Sequence, residues 1–267
     1  MCNSRRGCGG DGGWPMPDVA IVFGTVNRLA LLQACVESIR RAAGSLSCVC
    51  LVADGNSTDG SREWLAAQPD CELLEGGRDG AVAAFNVAFS RAVDLGSPFV
   101  CQFNDDLAFV DGLELERAVA ILRSDPGIGA IAFASDRYSP GVYGFYNMTC
   151  LGRNYANQGL FRLEAGMAAA RMLGDPTGKA WWDRRFHTYA SDTVLGLCLW
   201  RLGWTIHEAA DIHVRDPYAS GDGMRDPLRM ANLAAYTNAT LFSQEWGHPA
   251  RVAYSREDAI AYGGRVR

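Results

Sequence analysis

From Asp18 onward, short apolar runs rich in β-branched residues alternate with longer amphipathic stretches. That is the rhythm of a layered α/β fold. Residues 19–23 read as a buried strand. Over 29–43 the apolar positions Leu32, Cys35, Val36 and Ile39 recur at helical spacing with Arg40 and Arg41 opposite, which predicts a helix. A second buried strand spans 48–53 and runs into Asp54-Gly55-Asn56-Ser57-Thr58-Asp59-Gly60-Ser61, a polar segment dense in turn formers and caps. A helix starts over 61–67. A longer one covers 80–95, its faces made by Val82, Phe85, Val87, Phe89 and Val93, and the strand 99–103 follows directly. Helix 113–124, strand 128–134, a helix including 195–202 and a strand over 204–206 complete the pattern. Residues 139–159 and 215–229 are expected as long loops. No repeat and no internal linker interrupts the span, so one domain of two joined halves is expected.

At 267 residues and 48% hydrophobic, the chain is long enough to bury a substantial core. Its net charge of −5, with 21% charged residues, gives no pull towards nucleic acid or anionic membrane. No apolar run approaches the roughly 20 residues of a membrane span. Residues 1–17 are rich in Gly, Cys and Arg, lack the apolar segment of a secretory signal, and read as a flexible tail. The cysteines number nine and include no CxxC pair, so reduced, buried thiols in a cytoplasmic protein are expected, with Cys2 and Cys8 exposed.

Open α/β sheets bind ligands at the carboxyl ends of their strands. The first strand is followed by Gly24-Thr25-Val26-Asn27-Arg28, the second by Asp54, the third by Asn104-Asp105-Asp106. Each carboxylate alone has a plain alternative: Asp54 or Asp59 as a helix cap, strand-end acids as solvated turns. Asp105 and Asp106, adjacent at the end of an apolar strand, put like charges in a half-buried place, which is costly unless a cation sits there. Hard oxygen ligands suit Mg²⁺ or Mn²⁺, and such ions usually complete their shell with diphosphate oxygens, which points to a nucleoside diphosphate. No GxGxxG follows a strand. The segment from Gly174 to Ala180 has the wrong glycine spacing for a P-loop, and Ala180 stands where Ser or Thr is needed.

Five segments in this order resemble the GT-A fold glycosyltransferases of family 2. They are VAIVFGTVNRLALLQACVESI, VADGNSTDGS, GAVAAFNVAFSRA, FNDD and WWDRRFHTYASDTVLGLCLWRLGW, and the resemblance runs from about Asp18 to His213. It implies a Rossmann-like, mixed but mostly parallel sheet flanked by helices, a single domain with long acceptor-side loops. Residues 18–135 would form its nucleotide-sugar half, 136–230 its acceptor and catalytic half with lid loops, and 231–267 a helical extension. By the same resemblance Asp54 would bond the nucleotide base, with Thr25, Asn27, Arg28 and Asn86 holding nucleoside or sugar. FNDD would be the DxD-type motif. Asp106 takes the metal, Asn104 stands at the motif's first acid near the ribose, and Asp105 is an extra acid that either assists or is solvated. His213 would complete the metal's coordination, and Arg215, Arg225 or Arg229 would pair the diphosphate. Asp192 takes the place of the catalytic base, while Ser191 departs from the acid that usually precedes it.

The implied reaction is an inverting, metal-dependent sugar transfer from a nucleoside diphosphate donor, UDP favoured, to an acceptor hydroxyl, with Mn²⁺ or Mg²⁺ as cofactor. A saccharide is the default acceptor. The rivals are a nucleotidyltransferase, for which Gly24 to Arg28 is too sparse a phosphate loop, and a noncatalytic nucleotide-sugar binding module. A hydroxylated nucleobase in DNA stays open as acceptor, with the net charge against it. Tyr138, Tyr143, Phe145, Tyr146, Tyr155, Trp181 and Trp182 are either a sugar-stacking wall or plain packing. For Asp192 the plain alternative is a helix N-cap bonding the amides near Val194 and Leu195.

Overall fold

The computed structural model describes residues 16–137, 139–145, 149–150, 153–186 and 191–216. Cys2, Cys8, Tyr138, Tyr146, His187, Arg225, Arg229, His248 and the proposed extension 231–267 lie outside these residues. In chain order the elements are β1 (Val19–Thr25), α1 (Leu29–Ala42), β2 (Cys48–Asp54), α2 (Ser61–Ala66), β3 (Cys71–Leu74), a 3₁₀ turn (Gly77–Asp79), α3 (Ala81–Leu95), β4 (Phe99–Gln102) and β5 (Ala108–Phe109). There follow α4 (Glu114–Ser124), β6 (Ile128–Ser135), β7 (Thr149–Cys150), β8 (Arg153–Asn154), β9 (Gly159–Arg162), α5 (Leu163–Met172), α6 (Ser191–Arg201) and β10 (Thr205–Arg215).

The main sheet has eight strands in the order β3-β2-β1-β4-β9-β6-β10-β5, and β7 and β8 form a separate two-stranded ribbon. Pairs β1–β2, β1–β4, β2–β3 and β6–β10 are parallel, whereas β9 enters antiparallel to both β4 and β6. The near-continuous apolar runs of β1, β2, β4 and β6 are those of strands buried on both faces. Every residue of β6 is buried, and so is all of β4. Helices α1 and α4 pack together on one face, where Phe103 and Phe109 stack with ring centroids 4.6 Å apart. Helix α3 covers β1 and β2 from the other face, with Phe89 stacked 4.7 Å from Trp181. Trp181 also meets Phe161 of β9 edge-on.

The α/β architecture is the expected one, and β1, α1, β2, α3, β4, α4 and β6 fall within two residues of their expected ends. Helix α6 starts at Ser191, in keeping with a helix of which 195–202 is part and near whose start Asp192 stands, whereas β10 continues to Arg215, far beyond 206. The expected loop 139–159 contains β7 and β8 and runs into β9. Strands β3, β5 and β9 and helix α5 correspond to no expected element. Of the two alternatives for Trp181 and Trp182, packing is the one seen: Trp181 is fully buried, and Phe85 stacks on the buried Trp182 at 4.1 Å. All seven described cysteines are free thiols. Among the described residues no helix is long and apolar enough to cross a membrane.

Gly166 of α5 exists because the Trp181 ring lies against the helix. A Cβ there would stand 2.4 Å from two ring atoms. Ala is favoured over Gly inside a helix by about 1 kcal/mol, but overpacking a rigid core costs about 1–3 kcal/mol, so steric conflict decides the sign. Gly166→Ala is therefore expected to lower stability in urea denaturation. A stabilised variant would mean that Trp181 does not sit there.

Candidate active site

Thr25 and Asp54 are register partners at the ends of β1 and β2, so the loops that follow share one edge of the sheet. Those loops are tied to each other. The Asn27 N–H donates to Ser57 Oγ (2.9 Å), the Ser57 hydroxyl donates to Asp54 Oδ2 (2.6 Å), and the Thr58 N–H donates to Asn27 Oδ1 (2.8 Å). Asn27 holds φ at 51°, a left-handed conformation that Asn tolerates better than most residues. Asp59 takes the Leu29 N–H that opens α1 (2.8 Å) as well as the Ser61 N–H and hydroxyl, so it is a cap, as its plain alternative had it.

Asp54 is fully buried. Its Oδ1 accepts from the Asn56 and Ser57 amides and from Arg62, each at 2.9 Å. Burial opposes its charge, yet the Ser57 hydroxyl and amide, Arg62 and the Asn56 amide together hold the carboxyl below its ordinary range. The expected base ligand thus spends its acceptor capacity within its own loop and on Arg62. What it shapes is the turn beside Thr25, whose carbonyl accepts from Gly55 N–H at 2.8 Å.

The end of β4 carries the charge. Arg28 Nη1 lies 3.2 Å from Asp105 Oδ1 and 3.0 Å from Asp106 Oδ2, and the Thr25 hydroxyl donates to Asp105 Oδ2 at 2.8 Å. Asp105 is buried, 5% exposed, which corrects the option of a solvated acid. Burial and the neighbouring Asp106 charge push its carboxyl up to about 6, against the pull of Arg28 and Thr25. Asn104 is half-buried, and its carbonyl accepts from Leu107 N–H and the Cys35 thiol.

The acceptor side reaches the same edge through β9. Gln102, the last residue of β4, pairs antiparallel with Gly159, the first of β9, so residues 157–158 sit where β4 ends. Asn157 donates to Asp192 Oδ2 at 2.6 Å, and its carbonyl accepts from Gln102 Nε2 at 2.6 Å. Asp192 Oδ1 accepts from the Thr193 N–H at 2.8 Å. Helix α6 begins one residue earlier, and no bond joins Asp192 to the amides of Val194 or Leu195 among the described residues, so Asp192 is not the N-cap of its plain alternative. Burial raises its pKa, and the Thr193 amide and Asn157 oppose that rise. Gly196, one turn on and on the same helix face, allows the approach: a Cβ there would lie 2.4 Å from that of Tyr155.

Two expected site residues are placed elsewhere. Asn86 uses both ends of its amide on the backbone of Trp182, donating to its carbonyl (2.8 Å) and accepting from its N–H (2.9 Å), so in this structure it serves as a clamp. His213 has Asp111, not Asp106, as its carboxylate: Nδ1 lies 3.0 Å from Asp111 Oδ2, Nε2 lies 2.9 Å from the Ala210 carbonyl, and Tyr143 stacks on the ring. The cause is a bulge in β10, whose register on β6 shifts between Ala209 and His213. Arg215 is largely exposed and lies 3.9 Å from Asp136. Asp136 itself escaped the sequence reading. It follows the buried run of β6 as Asp105 follows β4, is 1% exposed, and accepts from the amides of Gly141 (3.1 Å) and Asp216 (2.8 Å).

Among the described residues no three His, Cys, Asp or Glu side chains gather as a metal-binding group. One guanidinium is nonetheless shared by two adjacent carboxylates, which leaves excess negative charge on hard oxygen donors. That suits a Mg²⁺ or Mn²⁺ ion that takes its other ligands from a diphosphate.

The family model described as Glycosyl transferase family 2 matches residues 20–171. The chain belongs to this family. Both the glycosyltransferase assignment and the GT-A architecture agree with its fold. The mannosyltransferase PcManGT from Pyrobaculum calidifontis, solved with GDP-Man and Mn2+, is similar at TM-score 0.55 and 17% identity, over 95% of this chain and 74% of that one. Glucosyl-3-phosphoglycerate synthase from Mycobacterium tuberculosis, solved with phosphoglyceric acid, is similar at TM-score 0.56 and 14% identity, over 85% and 79%. S. aureus TarS 1-349 with UDP-GlcNAc is similar at TM-score 0.54 and 14% identity, over 74% and 57%. No curated protein matches the sequence.

In this glycosyltransferase the raised Asp105 pKa has a signed consequence. Its destabilising contribution is absent below the ordinary value of 3.8 and grows as pH rises through about 6, because the folded state resists ionisation there. Asp105→Asn removes that contribution. The stability of Asp105→Asn relative to the parent is expected to be greater at pH 7 than at pH 4.5 in urea denaturation, and an equal difference at both would show that burial does not strain Asp105.

Proposed function

We propose that this glycosyltransferase transfers a sugar from a nucleoside diphosphate donor, UDP favoured, to an acceptor hydroxyl, with inversion at the anomeric carbon and a saccharide as default acceptor. The observation that carries this is the meeting, at the end of β4, of the Arg28–Asp105–Asp106 group with the Asn157–Asp192 pair. The similar structures with GDP-Man and UDP-GlcNAc support a nucleotide-sugar donor while differing in base.

Loops 24–28 and 54–58 bind the nucleoside, with Asp54 holding their shape beneath the base and Asn104 nearest the ribose. Arg28 turns its guanidinium towards the leaving diphosphate. Asp106 is the carboxylate that holds the divalent ion, which when bound supplies Lewis-acid stabilisation of charge growing on the leaving group. His213 joins that set only if the β10 bulge rearranges. Asp192, its pKa raised by burial, takes the proton of the acceptor hydroxyl, a contribution of about 10²–10⁴-fold. One base and no nucleophile on the donor face gives a single displacement.

A melting panel of UDP, GDP, dTDP and CDP with and without Mn²⁺ identifies the donor, since a ligand at 100 times its Kd stabilises by about 2.7 kcal/mol. UDP with metal is expected to give the largest shift; no shift from any diphosphate would sink the proposal. With the donor so chosen, Asp106→Ala is expected to abolish metal-dependent nucleotide binding and Asp105→Ala to weaken it less. Asp192→Asn is expected to lower turnover by about 10²–10⁴-fold with nucleotide affinity and melting temperature unchanged. An active Asp192→Asn enzyme would remove the base from that residue.

A further inference from the structure

Asp192 stands beside an amide where the family resemblance leads one to expect a second acid. The position before it is Ser191, 1% exposed, whose hydroxyl has no hydrogen-bond partner among the described residues. The carboxylate's side-chain partner across the site is Asn157, in the loop before β9, at 2.6 Å.

Which way the Asn157 amide points is settled by its surroundings. Its Nδ2 faces Asp192, because an ionised carboxylate only accepts, and its Oδ1 accepts from Gln158 Nε2. Its carbonyl is fixed by Gln102 Nε2, and Gln102 Oε1 in turn accepts from the Trp182 indole at 3.0 Å. Trp182 is clamped at its backbone by Asn86. A continuous line of amides and one indole thus runs from α3 across the end of β4 to α6. None of its four members, Asn86, Trp182, Gln102 and Asn157, carries a charge of its own.

We propose that Asn157 is a positioning residue for the base: it fixes the Asp192 carboxylate in one orientation and favours its ionised form, replacing the second acid of the family's pair. This rests on Asp192 being the base. A neighbouring acid would raise the pKa of Asp192 by like-charge repulsion, whereas an N–H donor lowers it. Among the described residues the other groups that bear on Asp192 are its own amide and four neighbours. Thr193 bonds it from its own helix; Arg137, after β6, lowers its pKa, and Cys150 of β7 and Tyr155, after β8, lie close enough to have their own pKa values raised by its charge. Arg137 is the one cation among these; the Thr193 amide opposes burial most, and Asn157 is the side chain that opposes it most.

The test is a ¹³C NMR titration of side-chain carboxyls in the full chain labelled at aspartate, with the Asp192 resonance assigned by its loss in Asp192→Asn. Asn157→Ala is expected to raise the Asp192 pKa by about one unit. Asn157→Asp keeps the acceptor for Gln158, so it guards against a folding defect in the alanine variant. It is expected to raise the pKa further, because it restores a like charge. With the donor chosen by the melting panel, the acid limb of kcat should move by the same amount while the donor KM holds. An Asp192 that titrates at one pH in the parent and both variants overturns the proposal without touching Asp192 as base. Full turnover by Asp192→Asn would instead overturn the base itself and leave the titration result standing.

Discussion

The antiparallel entry of β9 between β4 and β6 is the constraint on which the site depends. If β9 ran parallel to its neighbours, Asn157 would leave the edge where β4 ends, and Asp192 would lose its amide partner there. The register Gln102 to Gly159 fixes this to the residue. A slip of one position would turn every side chain of β9 to the opposite face. Leu160 and Phe161, both buried, make such a slip costly, and Phe161 is seated against Trp181.

Charge is distributed across the edge in two different ways. On the donor side two carboxylates share one guanidinium, so the pair remains electron-rich and Asp105 resists ionisation. On the acceptor side a single carboxylate is held by neutral donors, Asn157 and the Thr193 amide. The first arrangement concentrates negative charge; in the second, the Thr193 amide and Asn157 oppose the effect of burial on Asp192. The proposed transfer uses the first where negative charge leaves and the second where a proton is taken.

Much of this was legible in the residues. Apolar runs such as VAIVF, CVCLVA and FVCQF read as buried strands, and their carboxyl ends point to Thr25, Arg28, Asp54, Asp105 and Asp106. Strand β9 was missed because GLFR is short and Gly-led, and a four-residue strand held by two neighbours needs no periodicity of its own. The partners of Asn86 and His213 were illegible for another reason. Trp182 is 96 residues from Asn86, and the β10 bulge that turns His213 to Asp111 leaves no mark in the sequence. Asp136 could have been found by applying the strand-end rule to β6, as it was applied to β4.

The most direct test is a crystal structure of the full chain with UDP and Mn²⁺. The account predicts the base against loops 24–28 and 54–58, the diphosphate and ion between Arg28 and Asp106, and Asp192 facing the open side of the β-phosphate. A nucleotide bound at any other edge of the sheet, or a diphosphate touching neither Arg28 nor Asp106, would contradict it.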